Sequence, residues 1–222
     1  MGLLVSAGSA SGSAFEPDKQ HSDAFLAETL AFDVLLNDRP IGRHTYDLVE
    51  GAGSLEVTSS VEMSVRLMFV EVFAYEHQAV ERWRGNCLLS LESETRQNGR
   101  DEFVEARLTD NGFVINSATA ASASGVDVTS DEACVGGYAY WDLDRLRRDR
   151  LLNAQKGVLD SVQLRDAGTA SLSWRSGVVR AYELTTNDAV ITLYYDDADQ
   201  WLGLRTRQNG RWLEYRRADA TG

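Results

Sequence analysis

The stretch Leu89-Ser-Leu-Glu-Ser-Glu-Thr-Arg-Gln-Asn-Gly-Arg-Asp-Glu-Phe-Val-Glu-Ala-Arg-Leu108 decides the fold. Its midpoint, Asn98-Gly99, tolerates the positive φ that a type I′ turn requires at both central positions. Apolar and polar residues alternate away from it on either side. A two-residue loop there pairs Gln97 with Arg100, Arg96 with Asp101, Ser93 with Val104, Leu91 with Ala106 and Leu89 with Leu108. Apolar side chains then meet across the pair, and opposite charges meet beside the turn. The hexapeptide Thr95–Arg100 recurs at Thr206–Arg211. There Asn209-Gly210 opposes Leu204 to Tyr215, Arg205 to Glu214 and Thr206 to Leu213. The flanks of the two copies align poorly, so shared turn chemistry explains the repeat better than internal duplication. A further turn at Asn111-Gly112 places Ile115 against Leu108. The pattern is that of a meander.

Upstream, Ala31–Leu36, Gly42–Glu50, Leu55–Phe69 and Phe73–Trp83 read as strands broken by turn residues. Residues 1–27 lack periodicity and read as a flexible leader, which leaves 28–218 as a single β-rich domain. The one helix signal is Asp142–Asn153. Leu143, Leu146 and Leu151 fall near one face there, and Asp142 can cap the first turn. The expected architecture is mainly β: a single antiparallel curved sheet closing into a barrel or half-barrel, with one substantial α-helix.

Lys and Arg total 22 against 34 Asp and Glu, a net charge of −12. Such acidity opposes phosphate backbones and anionic lipid surfaces, so nucleic acid is not an expected partner unless the fold hides a basic face. Basic residues are almost all arginine, the lysines being Lys19 and Lys156. No apolar run approaches the ~20 residues that span a bilayer as a helix. Met1–Ala14 is rich in small residues and reads as a signal-peptide remnant or a small-residue leader. The first reading makes the protein periplasmic or secreted, the second cytoplasmic. Cys87 and Cys134 would pair as a disulfide in an oxidising compartment and stay as buried thiols elsewhere.

Tyr75, His77, Glu81 and Trp83 project to one side of a single strand, and His44 with Tyr46 forms a second row of the same character. Two readings fit. The rows form an aromatic core face, or they line a cavity in which the rings contact a ligand and the polar groups orient it. His77 beside Glu81 could also act as an acid–base pair. Tyr138-Ala-Tyr-Trp141 would plug one end of the barrel or gate it. Asp196, Asp197 and Asp199 hint at calcium, but position twelve counted from Asp197 is Gln208 rather than glutamate. The chain contains no phosphate loop, nucleophile elbow or zinc helix, so no cofactor, metal or catalytic residue is expected. The leading expectation is a carrier of an apolar or amphipathic small molecule, followed by an interaction module of the cell envelope and then an enzyme.

Several patches in order carry a resemblance: Asn37–Gly42, Phe73–His77, Glu81–Gly85, Leu88–Thr95, Tyr140–Asp142, Gly157–Val162 and Leu193–Asp197. Together they resemble a family of exported, mostly proteobacterial proteins grouped as a domain of unknown function, of the six-one-three-four type. The resemblance covers roughly Phe32 to Arg217 and implies export and a curved antiparallel sheet. It brings no activity and no catalytic residues.

Overall fold

The computed structural model describes residues 26–67, 69–119, 122–130 and 134–218. The first meander contains β1 (Leu26–Leu36), β2 (Arg39–Gly51), β3 (Ser54–Leu67), β4 (Val70–Arg84), β5 (Cys87–Gln97), β6 (Arg100–Thr109), β7 (Gly112–Thr119) and β8 (Ser122–Ser130). An insert follows, holding β9 (Gly136–Gly137), β10 (Arg150–Asn153) and β11 (Val158–Ser161). A second meander is formed by β12 (Gln163–Ser171), β13 (Val178–Thr185), β14 (Val190–Tyr195), β15 (Trp201–Gln208) and β16 (Arg211–Arg217). Antiparallel pairing of β1 with β16 joins the two meanders into one sheet of 13 strands, ordered β12-β13-β14-β15-β16-β1-β2-β3-β4-β5-β6-β7-β8. The insert makes a separate sheet of 3 strands.

Both Asn-Gly turns form as the sequence predicts. Asn98 and Gly99 take φ of 50° and 77°, Asn209 and Gly210 take 49° and 77°, and both central positions of a type I′ turn are thereby left-handed. The predicted registers hold for Gln97–Arg100, Arg96–Asp101, Ser93–Val104 and Leu91–Ala106. They hold again for Leu204–Tyr215, Arg205–Glu214 and Thr206–Leu213.

The described ladder of the first hairpin ends at Ser90–Arg107, so Leu89 and Leu108 do not pair within it. An irregularity between Arg82 and Trp83 sets Leu88, not Leu89, opposite Trp83, and Leu88 is the fully buried residue. The turn after β6 also differs from expectation. It is centred on Asp110-Asn111, pairs Thr109 with Gly112, and so opposes Ile115 to Ala106 rather than Leu108. Thr109 selects this turn: its hydroxyl donates to the Gly112 carbonyl at 2.7 Å and accepts from the Asn111 N–H at 3.3 Å.

Two expectations are overturned. The sheet does not close: closure into a barrel needs its outer strands to pair, and β12 and β8 stand at opposite edges. The apolar face is covered by the insert instead. Val135, Ala139, Leu143, Leu146, Leu151 and Leu152 pack into one core with Phe32, Trp83, Ile115, Leu184 and Trp201 of the large sheet.

The second concerns the predicted helix at Asp142–Asn153. Asp142 does act as a cap, its carboxylate accepting from the N–H groups of Asp144 at 3.0 Å and Arg145 at 3.3 Å. The turn it starts is not propagated. Leu146 and Arg147 donate three residues back, at 3.2 and 3.3 Å, and the chain becomes strand β10 at Arg150. Arg148 holds it there by donating to the carbonyls of Cys134 and Asn86. Leu151 and Leu152 are then both buried, on opposite sides of a strand flanked by β9 and β11. Tertiary burial outweighs helical periodicity here. Of the predicted leader, Leu26 and Ala27 already belong to β1, and residues 1–25 lie outside the described residues.

Candidate functional site

Register fixes which side chains share the covered face, called the inner face below. One ladder row crosses it as Phe32, His44, Val61, His77 and Thr95, and the next as Val34, Gly42, Met63, Tyr75 and Gln97. Tyr215 of β16 opposes Val34 and joins the second row. Four predicted residues are thus neighbours on the same part of the sheet: His44, Tyr46, Tyr75 and His77.

The His44 ring stacks on Tyr46 at 4.1 Å and meets Tyr215 edge-on at 5.6 Å. On β4, Phe73, Tyr75 and His77 form a ladder of near-parallel rings at 6.4 and 6.3 Å. His77 Nδ1 lies 2.8 Å from the Thr95 hydroxyl, and the Tyr75 hydroxyl donates to Gln155 of the insert at 3.3 Å. His44 is 8% exposed, and neither of its ring nitrogens has a hydrogen-bond partner among the described residues. A buried imidazole with both nitrogens unpaired is uncommon, because desolvating a polar group without compensation is unfavourable.

The cluster is uncharged near neutral pH. Burial lowers the pKa of His44 to about 3, with His77 adding to the effect, and that of His77 to about 4. Burial pushes the Tyr75 phenol up to about 12, and Tyr46 and Tyr215 also rise because they are buried. No group here takes or gives a proton easily at pH 7. The arrangement offers ring faces and unpaired imidazole nitrogens, which suits binding rather than proton transfer.

Glu81 and Trp83 lie elsewhere, under the insert, and Trp141 belongs to the insert itself. Trp83 is fully buried, donates its indole N–H to Glu81 at 2.9 Å, and meets Trp141 edge-on at 6.0 Å. The Arg145 guanidinium stands 5.0 Å from the Trp83 ring and 5.1 Å from that of Trp141. Burial raises the Glu81 pKa to about 7, against the opposing pull of the Trp83 hydrogen bond and of Arg145. His77 and Glu81 are four residues apart on one extended strand, about 13 Å. Each has a different partner, so the expected His77–Glu81 pair is not formed. With no barrel to close, Tyr138-Ala-Tyr-Trp141 neither plugs nor gates one; it packs against the large sheet instead, with Ala139 buried and the Tyr140 carbonyl accepting from the Tyr195 hydroxyl at 2.7 Å.

Cys87 and Cys134 are joined as a disulfide that ties β5 to the start of the insert. A groove of about 850 Å³ involves β3 to β7 and is lined in part by Gln78, Glu92, Glu94, Phe103 and Glu105, apart from the histidine cluster.

The shifted groups predict a stability profile. Unfolded histidines take up protons below pH 6.5, whereas folded His44 and His77 refuse them down to about 3 and 4, so these two make stability rise with pH across that window. Glu81 works in the opposite sense. The folded chain keeps its proton to about 7 while the unfolded chain loses it near 4.5, and stability falls between those values. Denaturant melts at a series of pH values should show Glu81→Gln removing that downward contribution. Identical profiles for the variant and the natural chain would refute the assignment.

A match to DUF6134, a domain of unknown function, spans residues 32–218. The chain belongs to this family. No curated protein matches the DUF6134 chain. Among solved structures it is similar to a crystal structure from Brucella abortus, described as a beta-barrel-like protein of the domain of unknown function DUF1849. The TM-score is 0.61 at 8% identity, covering 86% of the DUF6134 chain and 95% of the other. Identity that low speaks to the fold alone.

Tyr215, Thr95 and Gln155 complete the DUF6134 cluster and were not found in the sequence. Continuing the first Asn98-Gly99 hairpin outward could have reached Thr95. Tyr215 enters through the β1–β16 pairing, which no local pattern announces.

Proposed function

We propose that this DUF6134 protein binds an apolar or amphipathic, lipid-like small molecule on the inner face beside His44, and acts as a carrier. The unpaired imidazole of His44 carries this reading. A ligand with a hydroxyl or carbonyl head would restore its missing hydrogen bond, worth ~1–3 kcal/mol at a buried site. The ladder of Phe73 and Tyr75 and the half-buried Met63, Val65 and Leu213 would hold an apolar tail. The Cys87–Cys134 disulfide supports a periplasmic or secreted setting. The acid–base alternative lacks support, because His77 and Glu81 face different partners.

Native mass spectrometry of protein purified from an oxidising compartment tests the proposal. The natural chain should carry a lipid-like adduct, and His44→Phe, which keeps the ring and removes both nitrogens, should lose it. The same variant should be ~1–2 kcal/mol more stable when empty, because the unsatisfied polar atoms are gone. An adduct-free natural chain, or undiminished occupancy in His44→Phe, defeats the reading.

A further inference from the structure

Strand register gathers one set of turns at a single end of the large sheet: residues 37–38, 98–99, 186–189 and 209–210, with the β3–β4 connection at Phe69. The acids in these turns are spoken for. Asp38 pairs with Arg216 at 2.8 Å, Asp101 with Arg96 at 2.8 Å, Asp188 with Lys156 at 2.5 Å, and Glu71 with Arg66 at 3.7 Å. Arg39, Arg100, Arg207 and Arg211 stand at the same end and make no ion pair among the described residues.

Apolar side chains project there as well. Phe69 is fully exposed at the tip of the β3–β4 hairpin, and Val70 and Val72 follow it into solvent. Trp212 is part exposed, with the guanidinium groups of Arg205 and Arg207 at 4.0 and 4.6 Å from its ring. A tryptophan beside arginines, next to a protruding phenylalanine, has the chemistry of a membrane interface: rings at headgroup level and cations among anionic headgroups. The opposite end carries Asp110, Asp196, Asp197 and Asp199. A 14-residue strand such as β3 separates the two ends. At ~3.3 Å per residue that is roughly 46 Å, several times the ~8–10 Å over which salt screens a charge. The net acidity of the chain therefore does not cancel the local cations.

We infer that this end docks on an anionic lipid bilayer, with Phe69, Val70 and Trp212 entering the headgroup layer and Arg39, Arg100, Arg207 and Arg211 contacting lipid phosphates. The inference stands apart from the ligand reading, since none of these residues belongs to the His44 cluster. It adds a direction to it: the cluster lies two ladder rows inward from the Val65–Phe73 pair beside the β3–β4 connection, so a lipid would travel a short way between bilayer and site.

Sedimentation of the full chain with vesicles is the test. Vesicles of phosphatidylcholine containing phosphatidylglycerol should bind the protein at low salt and release it at high salt; phosphatidylcholine alone should bind it weakly. Arg207→Gln with Arg211→Gln should weaken the partition roughly thirtyfold, about fivefold per arginine. Phe69→Ser should weaken it further, with unchanged circular dichroism and melting. His44→Phe should bind vesicles as the natural chain does, which separates docking from ligand capture. No binding to phosphatidylglycerol vesicles overturns the inference. Equal binding to neutral vesicles, or variants that bind undiminished, would overturn it too.

Discussion

Replacing Trp83 with alanine is expected to lower the unfolding free energy by about 3–5 kcal/mol. The indole is 0% exposed and fills the joint between β4 and the insert. Its neighbours cannot collapse onto the space it leaves. Trp141 meets it at a right angle, Arg145 covers its ring, and Gly137 lies so close that a Cβ there would sit 3.3 Å from the indole. Removing it also strips Glu81 of its hydrogen-bond donor. Denaturant titration measures the loss, and native mass spectrometry should find ligand occupancy retained. A loss under ~1 kcal/mol, with occupancy gone, would show that the indole serves a ligand rather than the core.

Removing the disulfide, by reduction or by Cys87→Ser with Cys134→Ser, should cost about 4 kcal/mol on the chain-entropy account of cross-linking. The bond closes a loop with a sequence separation of 47. It also sits where the insert first touches the large sheet, one residue before the Leu88 N–H donates to the Val135 carbonyl at 2.9 Å. The insert should loosen first, and tryptophan fluorescence should shift to longer wavelength as Trp141 meets water. Reduced and oxidised chains that melt together would show that packing alone holds the insert.

What the sequence made legible was local. Asn98-Gly99 and Asn209-Gly210 fixed two hairpins to the residue, because turn geometry and the alternation of side chains constrain each other within a few positions. The turn at Asp110-Asn111 was expected one residue later, which shifts the pairing register by two, since the hydroxyl of Thr109 decides it and no dipeptide rule registers that. At Asp142–Asn153 the leucines obey a helical period, yet the chain buries Leu151 and Leu152 by passing between two other strands. Same-face placement on β4 was read correctly for Tyr75, His77, Glu81 and Trp83, but a shared face is not a shared site. Two of the four sit under the insert and two at its border. The insert that decides this comes from residues far along the chain.

The pairing of β1 with β16 has a consequence for how the molecule comes into being. Described contacts run from Phe32–Arg217 to Leu36–Leu213, and through them the first meander is stitched to the second. β16 emerges after every other described strand. Until it does, β1 waits at the margin of a half-built sheet with one row of its backbone groups open, an invitation to a stray strand from another molecule. A chain built this way gains from a chaperone that covers that margin, because its seam is sewn last.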